Sequence, residues 1–260
     1  MTTRVQGTVY LVGAGPGAPD LLTIRAASLL AAADIVFHDA LVNPHIVALA
    51  ARAEKVAVGK RCGKHSTAQR FINKRLVDAA RRYTVVVRLK GGDPLLFGRA
   101  QQEIAALEAA GIAYQVVPGV TAALAAGAAV ATSLTQRGTV RSFAFATPRV
   151  GTGEDVSDWA RGFASADAGA IYMGAGEAEA IAAALLRAGK PTSLPVAIVE
   201  NASLPEERIF YTTLTQLTRF ETEFTGPTLL LLGPQFTSRS AIAEVDERER
   251  CTDPSRRALG

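Results

Sequence analysis

The sequence predicts an α/β protein with two α/β domains and mainly parallel sheets. From Thr8 onwards, β-rich and helical segments alternate, which is typical of parallel strands connected by covering helices. Glycine-rich loops directly follow two of the strands, where α/β sheets gather ligand-binding loops. The alternation breaks at Pro118-Gly119 and then restarts, so we expect domains at 1–118 and 119–242 and a charged, flexible tail at 243–260.

The first domain is predicted from apolar periodicity and from helix start and stop signals. Ser66 and Gln69 form a capping box that opens one helix, and Gly111 is the expected C-cap of another. Strands are predicted at 8–12, 34–37, 55–58, 84–89 and 114–117, and helices at 21–33, 44–51, 66–82 and 99–110.

The second domain shows short β-rich runs and one clear helix. Strands are predicted at 143–146, 170–173, 195–199, 209–213 and 228–232, with the helix at 177–188. No repeat or coiled-coil heptad interrupts this pattern.

Composition and charge narrow the function classes. With 260 residues and 48% hydrophobic content the chain can bury a sizeable core. The net charge of +4 is modest, but the basic residues are unevenly placed, so we expect local patches, which suit an anionic small molecule as well as nucleic acid. The N-terminus shows no leader pattern, and the apolar stretch at 122–131 is shorter than the ~18 residues of a spanning helix. A cytoplasmic protein is therefore expected.

Metal chemistry is not expected from the cysteines and histidines. Cys62 and Cys251 lack any CxxC spacing, and His38, His45 and His65 lack paired-ligand spacing. The sequence therefore predicts a site without a metal.

The first glycine loop lies in VYLVGAGPGAPDLL. Glycines after a strand allow close approach of the backbone to a ligand. Gly13, Gly15 and Ala18 also satisfy a loose dinucleotide fingerprint, with Asp34 or Asp39 near the position of a ribose-binding acid. Pro16, however, removes an amide donor from the loop. An NAD-binding oxidoreductase and a purely structural turn both stay open as alternatives.

The second glycine loop lies in VVVRLKGGDPLLFGR. Gly91, Gly92, Asp93 and Pro94 follow a nearly continuous apolar strand, as expected at the ligand-binding edge of a parallel sheet. Asp93 offers a carboxylate to ribose hydroxyls or to an amine, or else acts as a turn residue before proline.

Five spaced motifs resemble one known family. They are GAGPGxxxLLT, VGKRxGxH, QxxIN, VVRLKGGDPxxFGR and VVPGVTAA, and the similarity extends over about residues 7–235. This set resembles the uroporphyrinogen-III C-methyltransferase family, of tetrapyrrole methylase architecture. The resemblance implies two α/β domains that close over a cleft holding S-adenosylmethionine (SAM), and a homodimer. It also implies a small-molecule substrate, with neither nucleic acid nor a membrane as a partner.

The resemblance also implies roles for individual positions. Asp39 and Lys60 correspond to the acid–base pair, and the SAM contacts correspond to Pro16, Gly91, Gly92, Asp93, Leu96, Thr121, Ala122, Met173 and Ala202. Without the resemblance, Met173 and Ala202 would be interpreted as core residues. For the substrate we expect contacts from Arg61, Lys64 and Arg88, with Arg88 also a second candidate for the base.

The implied reaction agrees with the residue types. Methyl transfer from SAM to C2 and C7 of uroporphyrinogen III gives precorrin-2 via precorrin-1, for sirohaem or cobalamin, with S-adenosylhomocysteine (SAH) as the other product. It needs a base and cations for the carboxylates of the substrate, and residues 55–77 contain basic side chains and no acid. A later-acting precorrin methyltransferase of the same family is the nearest alternative.

Overall fold

The protein packs as two compact units. The structure, a computed structural model, describes residues 6–58, 69–150, 157–174, 176–220 and 223–237. One unit comprises Met1–Ala125 with Ser203–Pro205, and the other comprises Ala126–Ala202 with Glu206–Gly260. The boundary predicted at residue 118 from the sequence rhythm stays a prediction.

The first unit is built on a parallel sheet in the order β3-β2-β4-β1-β5. Its strands are β1 (Thr8–Gly13), β2 (Ile35–His38), β3 (Glu54–Ala57), β4 (Val85–Lys90) and β5 (Tyr114–Val117). Its helices are α1 (Ile24–Ala32), α2 (Pro44–Ala48), α3 (Gln69–Ala80) and α4 (Ala100–Ala109), and α5 (Ala122–Ala129) contains the division between the units.

Helices cover both faces of this sheet, which explains the nearly continuous apolar strands. Val86 packs in a core with residues of α3 and α4. Val87 and Leu89 pack in a second core with residues of α1 and α2. Because side chains alternate along a strand, β4 contributes to both cores. The polar residues of β4 are therefore exceptions that need partners.

The predicted α/β class and the strand positions in this unit are confirmed. The helix predicted from Leu21 begins instead at Ile24, because Pro19–Leu21 forms a short 3-10 helix and the Thr23 hydroxyl accepts a hydrogen bond from Ala26 N at 3.1 Å. The predicted helix start at Ser66 lies outside the described residues.

The second unit contains a mixed sheet in the order β6-β7-β10-β8-β9. Its strands are β6 (Phe143–Ala146), β7 (Ala168–Tyr172), β8 (Pro195–Glu200), β9 (Arg208–Thr213) and β10 (Thr228–Leu232). Its helices are α6 (Trp159–Ala164), α7 (Ala178–Arg187) and α8 (Leu214–Leu217).

The sequence predicts mainly parallel strands in both domains, but most strands of this second sheet are antiparallel. Only β6 and β7 pair in parallel, and the other pairs among the described strands are antiparallel. The connection from β8 to β9, residues 201–207, is too short for the crossover that parallel strands require. These strands therefore form a hairpin.

Three helices among the described residues were not predicted from the sequence. Among them, α5 is apolar around its whole circumference, so it shows no helical periodicity, and α6 and α8 are short. Among the residues that the structure describes, no helix is long and apolar enough to cross a membrane.

Candidate active site

The loops that follow β1 and β4 meet at the carboxyl edge of the first sheet. These strands are parallel neighbours, so their carboxyl ends lie side by side. Gly15 N donates to Gly92 O at 3.2 Å, and Gly92 N donates to Gly15 O at 2.7 Å. The two glycine loops of the sequence therefore form one hydrogen-bonded unit.

The absence of side chains allows the backbones here to touch. A Cβ at Gly13 would lie 2.6 Å from Gly119 N and 2.7 Å from Gly92 O. Gly15 and Gly92 have φ of +72° and +66°, the left-handed region that favours glycine. We call Gly13, Gly15, Gly92 and Gly119 the glycine platform. Beside the platform, Gly91 has free space around it. The nearest neighbour of an added Cβ would be the Leu41 Cβ, at 4.0 Å.

Asp93 connects the platform to the turn after β5. Its Oδ1 accepts from Leu95 N at 2.8 Å, and its Oδ2 accepts from Gly119 N at 3.0 Å. Asp93 therefore stabilises the local turn, which is one of the two roles that its sequence position predicts. An ionised carboxylate has about four acceptor positions, so Asp93 keeps capacity to accept ribose hydroxyls as well.

Strained backbone follows the second glycine loop. Phe97 and Arg99, on either side of Gly98, have φ of +53° and +55°, which is uncommon for residues other than glycine and clusters at functional sites. Leu41, Leu95 and Phe97 are 70%, 63% and 39% exposed. Sequence reasoning missed Phe97 and Arg99 because backbone strain leaves no mark in a single sequence.

Other predicted SAM positions border the same edge. Pro16 follows Gly15 in the first loop, and Leu96 lies half-buried between Leu95 and Phe97. Thr121 precedes α5, and its carbonyl accepts from Leu124 N at 3.1 Å, as an N-cap residue does. Ala122 is the first residue of that helix. The structure thus brings Pro16 and residues 91–93 together on one sheet edge.

Asp39 is held by a buried arginine of the neighbouring strand. Asp39 follows β2 directly, and Arg88 lies within β4, where it pairs in register with Phe37. Arg88 Nη2 donates to Asp39 Oδ1 at 2.6 Å, with side chains 3% and 31% exposed respectively. An arginine buried in an otherwise apolar strand therefore orients a carboxylate at the edge of the sheet.

Arg88 belongs to a larger buried ionic cluster. Glu103, on α4 and 0% exposed, accepts from Arg88 Nε at 2.9 Å and from Lys90 Nζ at 3.1 Å. Gln69 Nε2 donates to the same carboxylate at 3.3 Å. We call Asp39, Arg88, Lys90 and Glu103 the ionic cluster, and its formal charges cancel. Such cancellation is required because an unpaired buried charge is very costly.

Sequence reasoning missed Lys90 and Glu103, although signals for both were present. Arg88 and Lys90 are two residues apart in an apolar strand, which places them on one face. Glu103 is adjacent to Ile104 and four residues before Leu107, so it lies on the apolar face of α4. Charged residues of opposite sign on two buried faces predict an ion pair.

The protonation states follow from this packing. Burial by itself would lower the pKa of the Arg88 guanidinium, but the carboxylates of Asp39 and Glu103 outweigh it and raise that pKa above its ordinary value. Burial, together with the Arg88 cation, lowers the pKa of the Lys90 ammonium, although Glu103 opposes the change. Arg88 therefore remains a cation and is unsuited to act as a base.

A cavity of about 530 Å³ opens beside Asp39. Its lining includes His38, Asp39 and Lys55 together with apolar residues of α2, among them Pro44 and Val47. A carboxylate and a lysine at an apolar cavity suit a ligand that has both apolar and anionic parts.

The predicted residues Lys60, Arg61 and Lys64 lie outside the described residues. Within the part of the chain that the structure describes, no group of three or more His, Cys, Asp or Glu side chains is placed to hold a metal ion.

Two predicted SAM positions lie at or next to strained backbone. Met173 directly follows β7 with φ of +58°, and its side chain is 43% exposed. Ala202, 8% exposed, lies between Asn201 and Ser203, which have φ of +52° and +72°. Met173 is thus not the core residue that its type alone would suggest.

The topology excludes the NAD interpretation of the first loop. In the usual dinucleotide-binding sheet β1 lies next to β2, whereas here β4 lies between them. Asp34, one candidate ribose-binding acid, instead accepts from Thr84 N and Val85 N at 2.9 and 2.8 Å, at the opposite end of β2 from the glycine loops. Its role is structural.

Comparison with known families identifies the protein class. The family model for Tetrapyrrole (Corrin/Porphyrin) Methylases matches residues 8–218. The chain belongs to this family. The resemblance noted in the motifs is thereby confirmed.

Curated relatives extend beyond the matched region. The siroheme synthase of Azotobacter vinelandii is 42% identical over 249 residues, which cover 95% of this chain and 54% of the relative. The siroheme synthase of a Psychrobacter species is 41% identical over 256 residues, which cover 97% of this chain and 53% of the relative. The chain thus spans about half the length of the curated relatives it matches.

Solved structures share the fold over most of the chain. A uroporphyrin-III C-methyl transferase from Thermus thermophilus, complexed with S-adenyl homocysteine, is 41% identical with a TM-score of 0.78, covering 88% of this chain and 98% of that chain. A cobalt precorrin-4 methyltransferase, 24% identical with a TM-score of 0.75 over 89% of this chain and 96% of its own, shares the fold. The predicted tetrapyrrole methylase architecture is confirmed.

Proposed function

We propose that this chain transfers methyl groups from SAM to C2 and C7 of uroporphyrinogen III, giving precorrin-2 via precorrin-1 for sirohaem or cobalamin. The observation that carries the proposal is Asp39, a carboxylate oriented by buried Arg88 at 2.6 Å on the sheet edge that also bears the glycine platform. The similarity to a uroporphyrin-III C-methyl transferase along nearly its whole length supports the choice of substrate.

The residues of the first unit fit SAM. The open space at Gly91 and the half-buried Leu96 suit an apolar, flat group, while Asp93 has the acceptor capacity for ribose hydroxyls. SAM, when bound, supplies an activated methyl group on a sulfonium, so the protein need only align the reactants and exclude water. By the family resemblance, Thr121, Ala122, Met173 and Ala202 are also proposed to contact SAM.

Asp39 is the proposed base. After methylation the macrocycle must lose a proton from a bridging carbon, and a positioned carboxylate can accept it. Arg88 occupies Oδ1 of Asp39. Within the described residues no hydrogen bond reaches Oδ2, which leaves that oxygen to take the proton. Lys60 is proposed to hold the substrate or to protonate it.

Cations outside the described residues are proposed to bind the carboxylates of the substrate. Arg61 and Lys64 carry this role, since charge-assisted contacts to carboxylates are strong. Each guanidinium nitrogen of Arg88 already donates within the protein, to Glu103, Leu89 O and Asp39. Arg88 therefore contributes to the substrate site by holding Asp39.

The proposal includes a cytoplasmic homodimer, as the resemblance implies. Light scattering coupled to size-exclusion chromatography tests the assembly: a mass of twice 27.2 kDa is expected, and a monomer that still turns over the substrate would remove the dimer from the proposal.

Mass spectrometry tests the proposed reaction. Anaerobic incubation with SAM and fresh uroporphyrinogen III should add two methyl groups to the substrate, and excess SAH should suppress the product. Methylation of a precorrin but not of uroporphyrinogen III would assign the chain to a later step. Calorimetry should detect binding of SAH and none of NAD.

A further inference from the structure

The buried carboxylate of Glu103 has no role in the proposed reaction as described so far. It is 0% exposed and accepts from Arg88 Nε, from Lys90 Nζ and from Gln69 Nε2. Its neighbours on α4, Ile104 and Leu107, are buried apolar residues. A carboxylate at this position needs a reason, because well-packed apolar groups are often as stabilising as a buried ionic cluster.

The ionic cluster reaches the surface through Asp39. The side chains of Arg88, Lys90 and Glu103 are 3%, 4% and 0% exposed, whereas that of Asp39 is 31% exposed. The cluster therefore connects the interior of the first unit to a carboxylate at the ligand-binding edge of the sheet.

The planar guanidinium transmits orientation from one carboxylate to the other. Glu103 holds Nε at 2.9 Å, and Nη2 of the same rigid fork holds Asp39 Oδ1 at 2.6 Å. Fixing one edge of the plane fixes the direction of the other. Leu89 O accepts from Nη1 at 3.2 Å and defines the plane further.

We infer that Glu103 is a positioning residue for Asp39, acting through Arg88, and that Lys90 balances the charge of Glu103. The inference rests on the proposed function for its kinetic consequence. Asp39 lacks a second holding group among the described residues, so loss of the Glu103 charge lets the Arg88 fork rotate and displaces the Asp39 carboxylate.

Glu103→Gln tests this inference, with Glu108→Gln as its matched control. Glutamine keeps the size of the side chain and removes its charge. Glu108 lies on the same helix but is exposed, and it accepts from the Tyr114 hydroxyl at 2.6 Å. The kcat of Glu103→Gln should fall about 10- to 100-fold, because small misplacements of a reacting group cost about that much.

The other kinetic constants separate positioning from general damage. KM for uroporphyrinogen III and Kd for SAH should stay within about twofold of wild type in Glu103→Gln, and Glu108→Gln should keep the wild-type kcat. A Kd for SAH that weakens in proportion to kcat would overturn the inference. If Glu103→Gln does not fold, Glu103→Asp is the second variant. It keeps the charge but withdraws the carboxylate from Arg88 Nε by one methylene, so kcat should again fall while Kd for SAH stays unchanged, and a wild-type kcat would overturn the inference.

A double-mutant cycle identifies Asp39 as the residue through which Glu103 acts. In an Asp39→Asn background, single-turnover rates should change by less than about twofold on adding Glu103→Gln, because residues that act as a unit are not additive. A full additive loss would show that Glu103 acts elsewhere.

A measurement without turnover separates this inference from the proposed function. In protein with ¹³C-labelled aspartate carboxyls, the Asp39 resonance is identified by its loss in Asp39→Asn. It should move in Glu103→Gln and stay in place in Glu108→Gln. An unmoved resonance overturns the inference even in an active enzyme. A moved resonance without any methylation by the wild type overturns the proposed function alone.

Discussion

Arg88 Nη2 lies 2.6 Å from Asp39 Oδ1; Arg88 lies within β4, and Asp39 directly follows the neighbouring parallel strand β2. A guanidinium that is almost fully buried thus holds a carboxylate that is 31% exposed. The exposed partner of such a pair is available for chemistry, while the buried partner keeps its charge and its direction.

Asp39→Asn should lower turnover by about 10² to 10⁴-fold with SAM binding unchanged, because the amide keeps the shape of the side chain but cannot take a proton. Single-turnover rates under anaerobic conditions measure the loss. Asp34→Asn is the control, since Asp34 lies at the other end of β2 and holds Thr84 N and Val85 N. Near-normal turnover in Asp39→Asn would assign the base role to another group.

Replacing Arg61 and Lys64 by alanine should raise KM for uroporphyrinogen III and reduce its dependence on salt, since screening acts on the charges that bind the substrate carboxylates. SAH affinity should stay unchanged in calorimetry. Lys74→Ala is a suitable control because the exposed Lys74 pairs with Asp78 on α3. An equal loss of affinity for both ligands would make the segment around residues 61–64 structural.

Gly13→Ala should destabilise the protein by about 1–3 kcal/mol, the usual cost of forcing atoms into a packed site, and should weaken SAH binding. The added Cβ would lie 2.6 Å from Gly119 N, so the glycine platform must separate.

Gly162→Ala is the opposite case. Gly162 lies in α6, and beyond its chain neighbours and the backbone of that helix no atom lies within 4 Å of an added Cβ. This change should stabilise the protein by about 0.5–1 kcal/mol. Urea unfolding measures both, and a neutral Gly13→Ala would contradict the close packing.

Glu200→Gln should make the free energy of unfolding less dependent on pH in acid. Burial by itself raises the pKa of Glu200, but hydrogen bonds from Gly226 N, Arg208 and Thr225 N hold it below its ordinary value. A carboxyl group with a lowered folded-state pKa stabilises the protein above the unfolded value of about 4.3, and this stabilisation is lost as the pH falls through the folded pKa. The free energy of unfolding of the wild type should therefore decrease once the pH is lowered below about 4.

Denaturant unfolding between pH 7 and pH 3 checks this prediction. Glu200→Gln should be less stable than wild type at pH 7, and the two curves should converge in acid. The exposed Glu206 provides the control, and Glu206→Gln should follow the wild-type curve. A constant gap between Glu200→Gln and wild type at every pH would contradict a role for the ionised carboxyl.

The sequence by itself determined the α/β class, the strands and the position of the glycine loops. These features rest on local signals: the apolar run of β4 marks a strand buried on both faces, and Gly91-Gly92 after it marks a loop that approaches a ligand. The family motifs added the assignment of Asp39, since a lone aspartate after a strand predicts no particular chemistry.

Only the tertiary structure decided which side chains meet. Arg88 is 49 residues from Asp39 and 15 from Glu103, and periodicity places each on a face without selecting its partner. Likewise, the left-handed backbone at Met173 and the antiparallel pairing of β10 with β7 and β8 depend on how distant segments pack. The physical reason is range: propensity and patterning act over neighbouring residues, whereas ionic pairing and backbone strain are set by contacts that form when the chain has folded.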